Sequence, residues 1–459
     1  MLAPLQADTQ TNNHLFSGFI MTRDELNTSA LGRFVRMGGL VGRVGVSMLS
    51  DQAVSLLRDG PTQRLKKAES MARNAARIAL TLGEMKGAAM KVGQMLSLHE
   101  GLLPKEVAAV LSVLQNDAPS VSFEVMEVAL RRELGNFDEV FESIEAEAFA
   151  SASIGQVHRG VLRDGRKVAV KIQYPEADRM VTADLTNMKV LLGNLVGLFT
   201  DIDFEPIWEE VKERLVEELD YLQEAENIRR TAAMHADFPK IIVPEVVAEA
   251  TSRRVLTMEF VEAIPSSEAA SDRFPQELKD QWGVTLFEFT LRGLFKHRFM
   301  HADPNFANFA FREDGTVVVY DYGCMKQVPD NIATGYARLM DALMKRKKTA
   351  MPTLLCEMGV YKEGGTPLSR SATDPYVDLM QDIVRASPPY TFGDDDTIYR
   401  ALYDLGMNNW QEASDIRFPR DMVFIDRTLG GLFGNLGKLG ATGPWRKLLR
   451  EYTAPLTEA

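Results

Sequence analysis

The spacing of apolar positions changes along this chain, and each change marks a new part. Over residues 64–98 there is no proline, and apolar side chains recur at Ala75, Ile78, Leu82, Met85, Ala89, Val92 and Leu96. Steps of three and four predict an amphipathic helix that faces a partner. Gly83 and Gly87 let another backbone come close, and Gly101-Leu102-Leu103-Pro104 ends the run. Short helices are predicted over 107–114 and from a cap at Ser122 through 124–133. The period then drops to two: strand 157–162, a turn at Arg163-Asp164-Gly165-Arg166, and return strand 167–173. Helical spacing resumes over 205–235, with Val211, Leu215, Leu222 and Ala225 on one face. Strands follow at 243–247 and 254–258, the second feeding a short connector over 259–265. A helix over 277–297, a β-branched strand over 316–320 and helices from 331 onward complete the pattern. The glycine run at 430–437 has no strand before it, so close helix packing explains it better than a phosphate loop.

Placed on these elements, several polar residues acquire a chemical reading. On strand 167–173, Val168, Val170 and Ile172 point one way while Ala169 and Lys171 point the other. Val-Ala-Val-Lys puts a lysine on the α- and β-phosphates of a nucleotide and a small residue, Ala169, over its base. Glu218 falls in the apolar stripe of helix 205–235, where a carboxylate is costly without a cation, and Lys171 is the expected partner. Residues 301–323 carry His301-x-Asp303 with Asn308 five places beyond the aspartate, a Glu313-Asp314-Gly315 turn, and Asp321-Tyr322-Gly323 at a strand end. Asn308 and Asp321 offer hard oxygens to Mg²⁺, and Asp303 is placed to act on an attacking oxygen. Ala150, Ser151, Ala152 and Ser153 stand where a glycine-rich phosphate loop is expected, and their Cβ atoms predict a stiffer loop. Met258 is expected beside the adenine, with the backbone of Glu259 to Val261 hydrogen-bonding the base. On spacing alone Lys91 and Gln94 share the edge of an apolar stripe, where a lysine ordinarily reaches solvent.

Size and charge narrow the class. A chain of 459 residues holds two or three domains and a large core. Lys plus Arg number 52 against 64 Asp plus Glu, a net charge of −12 that argues against nucleic acid as a partner. The cysteines Cys324 and Cys356 make no disulfide framework, which fits a reducing, cytoplasmic setting. No apolar run reaches the roughly eighteen residues a membrane span needs. Residues 29–50 carry Arg33, Arg36 and Arg43 without an acid, so that segment either lies on an anionic membrane or docks on the protein itself.

Taken in order, Lys91-x-Gly93-Gln94, the Ala/Ser segment, Lys171, Glu218-x-Asp220 and the 301–323 block make the chain closely resemble the UbiB/AarF/ADCK family of atypical kinases. The resemblance covers roughly residues 30 to 440. It implies an α+β, bilobal protein-kinase-like fold with an N-terminal helical extension packed over the active site. The expected parts are a loose terminus (1–28), the extension (29–120), a small lobe (121–262) and a helical large lobe (263–459). It also implies that Lys91 and Gln94 project into the nucleotide site, that Ala152 belongs to an alanine-rich nucleotide loop, and that Glu218 and Asp220 form an E-x-D motif. Lys171, Glu218, Asp303, Asn308 and Asp321 complete the implied set, with ATP or ADP and Mg²⁺ as cofactors. The family's role is ATP binding and hydrolysis in ubiquinone or other isoprenoid-lipid synthesis, usually at a membrane. A lipid or quinone intermediate and a peripheral membrane contact are therefore expected partners. Ser151 and the Asp-Tyr-Gly sequence are mild departures, and the membrane span of some relatives is missing. Without an A-P-E segment, and with Asn305 where protein kinases place a lysine, a protein substrate is disfavoured. The alternatives are a small-molecule phosphotransferase, which would lack the Lys91/Gln94 helix, and a pseudokinase scaffold, which would not need the full ligand set.

Overall fold

The computed structural model describes residues 121–458 except 153, 176, 198–203, 363, 385–386, 394–415 and 418, together with Val92. The segments expected at 1–28 and 29–120, with Lys91 and Gln94, lie outside the described residues apart from Val92, which is helical and buried. Ser153 lies outside them too.

The first half is built on a sheet. Helix α1 (Phe123–Glu133) precedes strands β1 (Phe141–Ala152), β2 (Gly155–Leu162) and β3 (Lys167–Gln173). Helices α2 (Ala177–Gly197), α3 (Glu205–Glu217) and α4 (Tyr221–Met234) come next, then β4 (Ile241–Ile242) and β5 (Val255–Glu259). Four strands pair antiparallel in the order β1-β2-β3-β5. The period-two pattern decides which face is dry. Val168, Val170 and Ile172 join Met126 and Leu130 of α1 in one core, while Ala169 faces Tyr221, Ala225 and Ile228 of α4 in another.

Three local expectations need correction. The Ala/Ser segment is not a free loop: β1 continues to Ala152, pairing Ala150 with Val157, Ser151 with Gln156 and Ala152 with Gly155. Only 153–154 remain between the strands. Gly155 lets β3 come close on the other side of β2, because a Cβ there would sit 2.1 Å from the Ile172 carbonyl oxygen. The helix expected over 205–235 breaks at 218–220. Asp220 leaves helical geometry (φ −119°, ψ 90°) and caps α4, accepting from Leu222 N and Gln223 N. Residues 243–247 form no strand. Pro244 has no N–H to donate, and Val246 contributes only an isolated bridge to Met258.

The second half is helical with small sheets that carry the loops. Its elements are β6 (Ile264–Pro265), α5 (Gln276–Leu291), a π-helical turn (Arg292–His297), β7 (Phe299–His301), β8 (Phe309–Phe311), β9 (Val317–Val319) and β10 (Met325–Gln327). Helices α6 (Asp330–Met344), α7 (Arg370–Ile383), α8 (Arg420–Leu439) and α9 (Trp445–Thr457) follow. Strands β4-β9-β8-β6 make one small sheet and β7-β10 another. From β10 the chain enters α6 after Val328 and Pro329, without a long intervening segment. One core runs through both halves, from Ala169, Leu256 and Met258 to Trp282, Phe311, Tyr322 and Trp445.

Candidate active site

Strand β3 delivers Lys171 to the underside of the sheet, and α4 supplies what receives it. Lys171 Nζ lies 3.0 and 2.9 Å from the two oxygens of Glu224 and 3.4 Å from Asp321 Oδ2. The expected pairing with Glu218 is therefore replaced by one with Glu224. The physical reason is the break at 218–220: α4 starts afresh on the Asp220 cap, and its own register turns Glu224 inward. The Glu224 side chain is 4% exposed and that of Lys171 13%. The Tyr221 ring lies 4.9 Å beneath the ammonium. Burial works against the charge on Lys171, but the carboxylates of Asp321 and Glu224 outweigh it and hold its pKa well above the ordinary lysine value. Glu218 itself is half-buried in the 218–220 turn, and Asp220 acts as the cap just described.

The segment carrying Asp321 is tied to the same helix. Tyr322 N donates to Glu224 Oε1 (3.3 Å), and Asn227 Nδ2 donates to the Tyr322 carbonyl (2.9 Å). Glu224 and Asn227, one turn apart on α4, thus hold both backbone polar groups of a single residue. Asp321 Oδ1 accepts from Gly323 N at 2.9 Å. His301 Nε2–H donates to the Asp321 carbonyl at 2.6 Å, and its ring meets Tyr322 edge-on with centroids 5.9 Å apart.

Between β7 and β8 the turn that carries Asp303 is organised by its own side chains. Asn308 Nδ2 donates to Asp303 Oδ2 at 2.9 Å, while Asn305 N donates to Asp303 Oδ1 at 3.2 Å. With its nitrogen so engaged, Asn308 offers Oδ1 as the atom for a cation. Asn308, Asp321 and Lys171 line one cavity of about 780 Å³, which reaches past Ala169 to Met258 and Val261. Ala150 lines it as well. The carboxylate and amide oxygens at its inner end are the hard donors Mg²⁺ takes, so the residues present fit that ion. At the outer end Glu259 N–H is engaged by the Glu245 carbonyl and Phe260 N–H by the Lys167 carbonyl.

Sequence reasoning missed the inward turn of Glu224 and the bond from Asn227. A signal for the first existed: Asp220-Tyr-Leu-Gln223 is a capping-box spacing that announces a new helix and with it a new face.

Residues 113–355 match the family described as the ABC1 atypical kinase-like domain. The chain is 33% identical over 329 residues to the mitochondrial atypical kinase COQ8B of Danio rerio, covering 68% of this chain and 51% of that protein. It is 30% identical to the mitochondrial atypical kinase coq-8 of Caenorhabditis elegans, covering 80% and 49%. The corresponding figures for COQ8 of Saccharomyces cerevisiae are 27%, 93% and 85%. The chain thus spans about half the length of the first two relatives. The solved complex of Rv3197 with erythromycin from Mycobacterium tuberculosis superposes with a TM-score of 0.61 at 28% identity, covering 84% of this chain and 97% of that one.

Proposed function

The chain belongs to the ABC1 atypical kinase-like family, the UbiB/AarF/ADCK group, and has its protein-kinase-like α+β fold; from that premise we propose that it binds a magnesium adenine nucleotide in the cavity described above and transfers or hydrolyses the terminal phosphoryl group, in support of ubiquinone or other isoprenoid-lipid metabolism. The observation that carries this reading is Lys171 held between Glu224 and Asp321 on the wall of one cavity. Lys171, kept charged, takes the α- and β-phosphates. Ala169 and Met258 flank the base, which bonds to the Glu259 carbonyl and Val261 N–H. Asn308 and Asp321 would hold Mg²⁺, which neutralises charge on the phosphate oxygens. Asp303 accepts the proton of the attacking oxygen. Ala150, Ser151 and Ala152, as paired strand, cover the phosphates from above. Lys91, Gln94 and Asp220 are proposed to gate the site. Among the described residues no helix is long and apolar enough to cross a membrane, so lipid contact in this reading is peripheral.

The test is Mg²⁺-dependent ATP hydrolysis with and without anionic liposomes. We expect hydrolysis without an added acceptor, stimulation by liposomes, loss of Mg²⁺-dependent nucleotide affinity in Asp321→Asn with the fold retained, and altered turnover in Lys91→Ala. Unchanged affinity of Asp321→Asn across a Mg²⁺ titration would remove the metal assignment. A second reading, transfer to a small soluble acceptor, is favoured by the erythromycin bound to the Mycobacterium tuberculosis neighbour. It predicts strict dependence of turnover on such an acceptor.

A further inference from the structure

Helix α8 lies along the back of the catalytic turn and meets it with one face. Arg427 donates to the Ala302 carbonyl at 3.2 Å, and Asn435 Nδ2 donates to the Pro304 carbonyl at 2.8 Å. Between them Gly431 leaves the space that Pro304 fills, since a Cβ there would lie 2.3 Å from Pro304 Cγ. One turn further on, the Lys438 ammonium sits 5.3 Å over the Phe306 ring. Positions 427, 431, 435 and 438 form a single stripe on a helix.

The two captured carbonyls belong to the residues on either side of Asp303. The bonds from Asn305 and Asn308 orient the Asp303 carboxylate within its turn, but they move with the turn. Contacts from α8 fix the turn against the rest of the molecule. Asn435 is 4% exposed, and a buried amide donor aimed at a loop carbonyl is costly to leave unmatched.

We propose that Arg427 and Asn435 are positioning residues that set the place of Asp303, with Gly431 allowing their helix to come close enough. This rests on the reading of Asp303 as the group that takes the proton of the attacking oxygen. Neither side chain touches the nucleotide in that reading, so their loss separates turnover from binding.

The full chain carrying Asn435→Leu, Arg427→Met or Arg427→Lys is compared with the unaltered protein. Three quantities are measured: MgATP turnover, MgATP affinity by titration, and hydrogen exchange across residues 299–311. Asn435→Leu and Arg427→Met are expected to lose about 10²-fold in turnover, the scale of a misplaced catalytic group. Affinity should stay within about twofold, as for an interaction made only in the transition state. Exchange should quicken in 299–311 alone, and Arg427→Lys, which keeps a donor, should recover most of the lost turnover. Wild-type turnover in Asn435→Leu overturns the proposal. So does a loss matched by equal losses of affinity and of protection throughout the chain, which marks a merely structural role. If the unaltered protein binds MgATP without turning it over, the phosphoryl-transfer reading fails. Exchange then decides the α8 contact by itself: local quickening supports it, and unchanged protection in 299–311 overturns it.

Discussion

At the scale of single residues, the decisive feature is which acid neutralises Lys171. Glu218 lies within the helix break and Glu224 one turn beyond it, and only the second is fully enclosed. Removing Glu224 takes the nearer of two acids from a buried ammonium and leaves it Asp321 at 3.4 Å. Glu224→Ala is therefore expected to cost about 1 to 3 kcal/mol of folding stability. Glu218→Ala, at a half-buried turn position, should cost about 1 kcal/mol or less. Urea denaturation of the two variants checks this, and equal losses would return Glu218 to consideration as the partner. Lys171, Asp303, Asn308 and Asp321 could be singled out because each belongs to a short local spacing on or beside a strand. Glu224 was not, because the reasoning that chose Glu218 extended one helical period across a point where the backbone abandons it. Arg427 and Asn435 were illegible for another reason: their role is a contact with a turn more than 120 positions away, and nothing local announces it.

Among the elements, the hairpin β2–β3 and strand β9 followed from alternation, β-branched composition and turn chemistry. Strand β1 did not. Phe-Glu-Ser-Ile-Glu-Ala-Glu-Ala-Phe-Ala-Ser-Ala is rich in alanine and glutamate, which carry little β preference, and its pairing with β2 has register shifts that blur the alternation. What holds it is the neighbouring strand and not its own composition. The hairpin's dependence on Gly155 gives a direct check. In Gly155→Ala the methyl meets backbone, which cannot rotate away, so a loss of about 1 to 3 kcal/mol is expected. A thermal scan should show a lowered Tm. An unchanged Tm would mean that β2 and β3 stand further apart than described.

Across the whole molecule, the core that joins the sheet to the helical half also encloses a pair of histidines. His235 on the end of α4 and His297 in the π-helical turn have ring centroids 4.8 Å apart. Burial lowers both pKa values to about 4, with Arg292 pushing the same way for each, while Asp237 opposes it. Arg292 and Lys296 both bind Asp237, and His235 Nδ1 bonds the Thr231 carbonyl. The folded state therefore prefers both imidazoles neutral, whereas the unfolded chain protonates them near 6.5. Stability is full above that value and declines as pH falls towards 4, because the unfolded state takes up protons first. For His235, 5% exposed, the loss over that window is on the order of 3 kcal/mol. Urea midpoints at pH 7 and pH 5 should diverge for the native chain, and diverge less when His235 becomes Gln, with His297 carrying the remainder. Parallel shifts would assign the acid sensitivity to other groups.

The clasp that α4 places on Tyr322 also bears on the choice of chemical probes. A compound that needs the aromatic ring of this segment swung outward would have to sever the bonds from Glu224 and Asn227 inside a dry interior, at about 1 to 3 kcal/mol for each group left bare. Inhibitors for this protein are best sought among molecules shaped to the inward arrangement.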